Sequence, residues 1–267
     1  MRIFKKIYII PLLLLQVILL FSCKKVIDVK LKNSTGQTII SGEVDNLSGP
    51  YKVTISKSVD FTSDNNFPPV SGAFVTITGN GITDTLFEDG PGEYFTKNLI
   101  GSPGKAYSLL VKAEGNTYTA TSTMPYPVLL DSLSFLLGRD NNIYAVANFQ
   151  DPKETDNYYQ FIQYANGEKF KNGRGNSVFD DRLSNGRYIS MALYDDSSDI
   201  KPGVTLTVQM NSIDKYVYNY LNELLQISGN GGGFSSPTPA NPQSNISGGA
   251  LGYFSANTVS YKTVKIQ

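Results

Sequence analysis

The sequence predicts an all-β fold: an N-terminal sandwich followed by a second β-rich domain that carries one α-helix. Three observations lead there. Apolar and polar side chains alternate in many short segments, as a strand with one buried face requires, and Tyr51-Lys52-Val53-Thr54-Ile55-Ser56 is a clear case. Clusters such as Asp89-Gly90-Pro91-Gly92 and Gly101-Ser102-Pro103-Gly104 separate these segments and supply the backbone angles that turns need. Hydrophobic residues make up 40% of the 267 residues against 17% charged, with 17 Tyr and 14 Phe. That is apolar surface enough for a core and too much for a disordered chain.

The first 22 residues stand apart from the fold. Arg2, Lys5 and Lys6 precede an apolar run over 7–21 broken only by Tyr8, Pro11 and Gln16, the pattern of a secretory signal peptide. The run is too short, and too soon followed by polar sequence, to span a membrane. Leu20-Phe21-Ser22-Cys23 resembles a bacterial lipobox, in which the cysteine becomes the acylated first residue after cleavage. Each buried methylene of an acyl chain contributes about 0.8 kcal/mol and two chains suffice for stable anchoring. The expectation is a chain lipidated at Cys23 and anchored to a membrane without threading it.

Domain boundaries follow from the strand pattern. Strands are predicted over 38–44, 51–56, 73–78, 83–87, 93–97, 107–113 and 117–123. Met124-Pro125-Tyr126-Pro127 then interrupts, because two close prolines cannot both donate to a ladder. The N-terminal sandwich is thus placed at 23–125 and the second domain at 126–267. The second domain resumes with strands over 129–137, 143–149, 158–164, 188–194 and 204–210, and ends with 252–256 and 259–266. One helix is predicted over 213–228, with Ser212 as its cap and Gly229 as its stop. Ile213, Val217, Leu221, Leu224 and Leu225 fall largely on one face. Residues 229–247 read as a long loop rich in glycine and proline.

Composition excludes much familiar chemistry. Histidine and tryptophan are absent and Cys23 is the single cysteine, so His-dependent triads, His or multi-Cys zinc sites and internal disulfides are ruled out. Lys plus Arg and Asp plus Glu each total 23, without the basic excess of a nucleic-acid partner. Gly231–Gly233 lacks the Lys-Ser/Thr of a phosphate loop and follows a helix instead of a strand. Three Asp/Asn groups, at Asp60, Asp64, Asn65 and Asn66, at Asp140, Asn141 and Asn142, and at Asp195, Asp196 and Asp199, offer oxygens of the kind calcium takes, but without EF-hand spacing. They read as turns, and the sequence predicts no metal and no cofactor. Tyr158, Tyr159 and Tyr164 lie on strand patterns, where aromatics serve as core and cross-strand pairs. Nothing brings two carboxylates together as an acid/base pair, so the chain is read as non-enzymatic.

Pro69-Val70-Ser71-Gly72-Ala73-Phe74-Val75-Thr76-Ile77, Asp89-Gly90-Pro91-Gly92-Glu93-Tyr94 and Pro103-Gly104-Lys105-Ala106-Tyr107-Ser108-Leu109 resemble the turn-and-strand motifs of carboxypeptidase-regulatory-like sandwiches. This implies an immunoglobulin-like N-terminal domain and carries no activity. The chain as a whole resembles a Bacteroidota lipoprotein family, domain of unknown function four-two-four-nine. The matching features are Cys23-Lys24-Lys25-Val26-Ile27-Asp28, Ser212-Ile213-Asp214 with Tyr216 and Tyr218, and Ser244-Asn245-Ile246-Ser247-Gly248-Gly249 followed by Gly252-Tyr253-Phe254.

The resemblance implies an outer-membrane, lipid-anchored accessory or binding subunit of a TonB-dependent nutrient uptake complex. Its receptor partner would be of the starch-utilisation type and its possible cargo a small nutrient, glycan or peptide. A structural or adhesive cell-surface protein is the alternative, and the sequence leaves both the cell surface and the periplasmic face open. An exposed apolar patch or aromatic-lined cleft on the second domain would favour binding over a spacer. Phe234, Pro237, Asn245, Tyr253 and Phe254 are the candidate contacts, because recognition residues concentrate on connections between rigid strands. Cys23→Ala is expected to leave an unprocessed or soluble protein; continued membrane fractionation with unchanged processing would refute the anchor.

Overall fold

Alternation in the sequence becomes pairing in the computed structural model, which describes residues 36–59, 66–139, 142–153, 156–170, 176–194, 200–227 and 241–267. Cys23, Phe234, Pro237 and most of the three Asp/Asn groups lie outside the described residues. The first part of the chain forms β1 (Thr38–Asp45), β2 (Lys52–Lys57), β3 (Phe74–Gly79), β4 (Ile82–Thr85), β5 (Phe87–Glu88), β6 (Glu93–Phe95), β7 (Ala106–Ala113) and β8 (Asn116–Thr123). The second forms β9 (Leu130–Leu137), β10 (Ile143–Gln150), β11 (Tyr158–Ala165), β12 (Glu168–Lys169), β13 (Asn176–Asp180), β14 (Tyr188–Leu193) and β15 (Thr205–Ile213). Helix α1 (Lys215–Ile227) and the long β16 (Leu251–Lys265) complete it.

One large sheet runs β12-β11-β15-β16-β1-β2-β6-β5, with β13 also paired to β11. Two smaller sheets, β4-β3-β7-β8 and β14-β10-β9, close the two sandwiches. In the first core Ile40, Val44, Val53 and Ile55 of the large sheet belong to one buried cluster with Val75, Ile77, Leu109 and Val111. The second gathers Phe149, Tyr159, Phe161, Leu193, Leu206, Val208 and Met210, and Phe149 meets Tyr159 edge-on at 4.9 Å, a favoured aromatic geometry. Met124 belongs to the first cluster and Val128 opens the second. The fold is therefore all-β sandwich with one helix among the described residues, as the sequence predicts.

The two strands expected over 252–256 and 259–266 are a single strand, β16. Residues 251–257 pair in parallel with β1, from Ile39↔Leu251 to Asp45↔Asn257. Residues 258–265 pair antiparallel with β15, from Ser212↔Thr258 to Thr205↔Lys265. The polar pair Asn257-Thr258, which reads as a break, is buried where the strand exchanges one partner for the other. Phe254 and Ala256 therefore join the first core while Val264 packs on the second.

Two further differences concern local signals. Asn176–Asp180 forms β13, a strand that its weak alternation conceals in the sequence. The segment expected over 204–210 runs on to Ile213, so Ser212 sits inside β15 and cannot cap the helix. Val217 and Leu221 are the buried residues of α1, whereas Leu224 is exposed. They pack with Ile213, Tyr158, Val178 and Tyr253 on the face of the large sheet that faces away from the cores.

The parallel pairing of β1 with β16 sets a severe steric demand at Gly252, which has φ +94° and would place a Cβ 1.9 Å from the Ile40 carbonyl oxygen. Gly252→Ala is expected to destabilise by at least about 3 kcal/mol through combined strain and clash, a fall in Tm of roughly 6–12 °C for a domain of this size. A thermal melt indistinguishable from the parent would disprove that demand.

Candidate functional site

Upstream of its pairing with β15, β16 has β1 on one edge and, among the described residues, no strand on the other. Buried backbone groups need partners, and three side chains supply them. Ser244 Oγ donates to the Gly252 carbonyl at 2.7 Å, and Asn245 both donates to the Phe254 carbonyl at 2.8 Å and accepts from the Phe254 amide at 3.0 Å. Ser122 Oγ accepts from the Ala256 amide at 2.8 Å and donates to the Asp214 carboxylate. Asp214 in turn accepts from the amides of Tyr216 and Val217, each at 2.9 Å, which makes it the helix cap. The edge of β16, the end of β8 and the start of α1 are thereby joined through one hydrogen-bonded chain.

Beside this chain lies a pocket of about 320 Å³ lined by Thr121, Tyr216, Asn219, Gln243, Ser244 and Asn245. Glu223 fixes its outer wall by accepting from the Gln243 amide at 2.7 Å. The lining holds amides, hydroxyls and one exposed tyrosine ring, without a carboxylate or an amine. Such a set can hydrogen-bond a neutral polar group.

On the same face of the large sheet, polar side chains pair in series. Tyr164 donates to Gln209 at 2.9 Å, Gln209 to Asn211 at 2.8 Å and Asn211 to Gln160 at 3.1 Å, while Ser255 donates to Asn257 at 3.1 Å. A groove of about 300 Å³ over β1 and β2 includes Ser41, Glu43, Asp45, Lys52 and Thr54. Glu43 keeps exposed surface, yet enough protein crowds it that desolvation lifts its carboxyl above the usual range. Asn257 pulls it back and Asp45 adds repulsion. Lys52 is engaged with Glu93 across the strands.

The second sandwich carries an apolar tip. β9 is the edge strand of its sheet, and Phe135, Leu136 and Leu137 at its end are 39%, 40% and 67% exposed. Leu136 pairs with Tyr144 on β10, and Tyr144 stacks edge-on against Tyr194, itself 69% exposed, at 5.1 Å. Phe135 and Leu137 point to one face of the strand and Leu136 to the other, so the end of β9 is apolar and exposed on both faces, and exposed apolar surface beyond single scattered residues marks an interaction site.

Residues 24–263 match the family described as Domain of unknown function (DUF4249). The chain belongs to this family. No curated protein matches it. Among solved structures it is similar to a two fibronectin type-III domain segment from chicken tenascin at 14% identity, over 66% of this chain and 90% of that one, with a TM-score of 0.20. Likeness at that level carries no weight, and the fold rests on the strand pairing above.

Of the residues that carry the family resemblance, those at 212–218 and 244–254 meet at the junction around β16. Asp214 caps the helix, Ser244 and Asn245 close the strand edge, and Gly248, at φ +86° with space for a Cβ ending 2.6 Å from the Thr117 carbonyl oxygen, lets the return segment approach β8. This changes the standing of the expected contacts. Asn245 lines the pocket, but both ends of its amide are already bonded to Phe254. Phe254 is fully buried in the first core and cannot meet a partner; its aromatic ring is core, not handle. Tyr253 is partly buried with its ring 5.1 Å from Tyr220, and burial, reinforced by the Glu43 charge, raises its hydroxyl. Strand alternation does not single out the apolar end at 135–137; three consecutive apolar residues at a strand end are the signal the sequence carries there.

Asn245→Ala removes partners from both the amide and the carbonyl of Phe254. A loss of about 2–4 kcal/mol is expected from two unpaired buried groups, with accelerated hydrogen exchange at the Phe254 amide. Unchanged exchange there would show that the edge is closed by something else.

Proposed function

We propose that the protein is a lipid-anchored, non-enzymatic subunit of a TonB-dependent outer-membrane nutrient uptake complex, docking on its receptor through the apolar tip of the β9–β10 hairpin. The observation that carries this reading is the exposed apolar end of β9, with Phe135 and Leu137 on one face and Leu136 on the other, beside the exposed Tyr194 that packs on Tyr144. A spacer or adhesive stalk needs no such surface, and burying each large apolar side chain at an interface contributes about 1.5–3 kcal/mol. The anchor is supported by Cys23 lying after the apolar run and immediately before residue 24, where the family match begins.

The hydrogen-bonding pocket beside α1 suits a neutral polar ligand, in keeping with a nutrient-binding accessory role. Replacement of both Leu136 and Leu137 by Glu is expected to leave the melting temperature within about 2 °C, since exposed substitutions act within roughly 0.5 kcal/mol. The same variant should lose the receptor in affinity purification from native membranes. Full retention of the receptor by a normally melting variant would remove the tip from the interface.

A further inference from the structure

Two loops meet at one end of the second core, and each brings a carboxylate out of contact with water. Asp151, which follows β10, is 1% exposed, and Asp181, which follows β13, is 0% exposed. Asp151 is partly provided for: Tyr159 Oη donates to its Oδ1 at 2.5 Å and the Gly186 amide to its Oδ2 at 2.8 Å. Asp181 is not. Its backbone bonds to Asn157 and Ser184, but neither carboxylate oxygen meets a donor in hydrogen-bond geometry. Burial, with repulsion from Asp151 and the exposed Asp156, raises the Asp181 carboxyl, against the backbone amides of Asn157 and of Asp181 itself, which draw it down. Ser184 Oγ, on the same turn, is also buried and unpartnered.

Basic side chains do not resolve the imbalance. Arg182 points to Asp180, donating through Nε at 2.7 Å and Nη2 at 2.8 Å. The described ion pairs include neither Asp151 nor Asp181. A carboxylate held out of water without a partner is strongly disfavoured, and a second carboxylate beside it makes matters worse. Hard oxygen donors from two loops, in a chain without histidine, match the ligand chemistry of calcium.

We propose that Asp151 and Asp181, joined by Ser184, hold a divalent cation of the calcium type that pins the chain leaving β10 at Asp151 to the turns at 181–187. Among the described residues no three acidic, thiol or imidazole groups converge, so the rest of the shell falls to backbone carbonyls and to water that enters with the ion. With two carboxylates among its ligands the site belongs to the weak, extracellular class, with Kd of about 0.1–1 mM.

The test uses the full chain, stripped with chelator and melted across a calcium chloride titration, against sodium chloride of equal ionic strength. At 10 mM calcium a saturable rise in Tm of about 3–10 °C is expected from mass action, with no rise in sodium. Asp181→Asn should melt higher than the parent without calcium, because it deletes the uncompensated charge, and should lose the calcium increment. Terbium luminescence sensitised by tyrosine, displaced by calcium, reads the parent directly should the variant fail to fold.

Absence of a saturable calcium increment together with absence of calcium-displaceable terbium emission overturns the proposal, as does an equal increment in Asp181→Asn. Simple protonation of Asp181 gives a different signature. A carboxyl whose folded pKa is raised adds stability at low pH and loses it as pH rises through that value, and calcium would then have no effect, which also overturns the cation site.

Discussion

The fold depends on one strand having two partners. β16 leaves β1 and takes up β15 within a single step of the chain, between Asn257 and Thr258. The half paired to β1 must therefore find partners for its other edge without a strand. Two serines and an asparagine do so, and one of the serines also bonds the aspartate that caps α1. Edge satisfaction, helix initiation and the joining of two cores are consequently one problem with one solution. Loss of a single side chain in that chain exposes backbone groups at the centre of the molecule, where water cannot replace them cheaply.

This arrangement explains which parts of the molecule the sequence reveals. Alternation identifies most strands because β1, β2, β7 and β8 each bury every second side chain. It fails for β13, whose residues are all half-buried, so no face is distinguished. It also fails at Asn257-Thr258, where two polar residues in a strand look like a turn because their burial depends on tertiary partners. Asp214 and Ser212 are equally good caps by residue type, and only the continuation of β15 to Ile213 decides between them.

The candidate site follows the same logic. Asn245 and Tyr253 are legible as unusual residues in a return segment, but unusual for the demands of the junction before those of any ligand. Phe254 shows the hazard of reading an aromatic residue near a loop as a contact, since alternation along β16 sends it inward with Ala256. Asp151 and Asp181 are thirty positions apart and follow different strands. Their proximity arises from two separate pairings: Gln150↔Tyr188 of β10 with β14 sets Asp151 against the Gly186 amide, while Tyr158↔Asp180 carries Asp181 alongside Asn157, and no spacing rule could expose it.

With its polar junction internally bonded, the molecule has little left there with which to bind a protein partner, and the end of β9 is one place among the described residues where apolar surface stays exposed. β10 links that tip to the proposed cation site: Ile143 and Tyr144 stand at one end of the strand and Asp151 directly follows the other, about 25 Å away at the usual strand rise. A cation at Asp151 and Asp181 would act on the base of the hairpin without touching the docking residues. Its effect on receptor binding would then be indirect, through the order of the strand that presents the tip. Stability and docking are on this account separable properties of one strand, with calcium acting on the first and the leucines of the tip on the second.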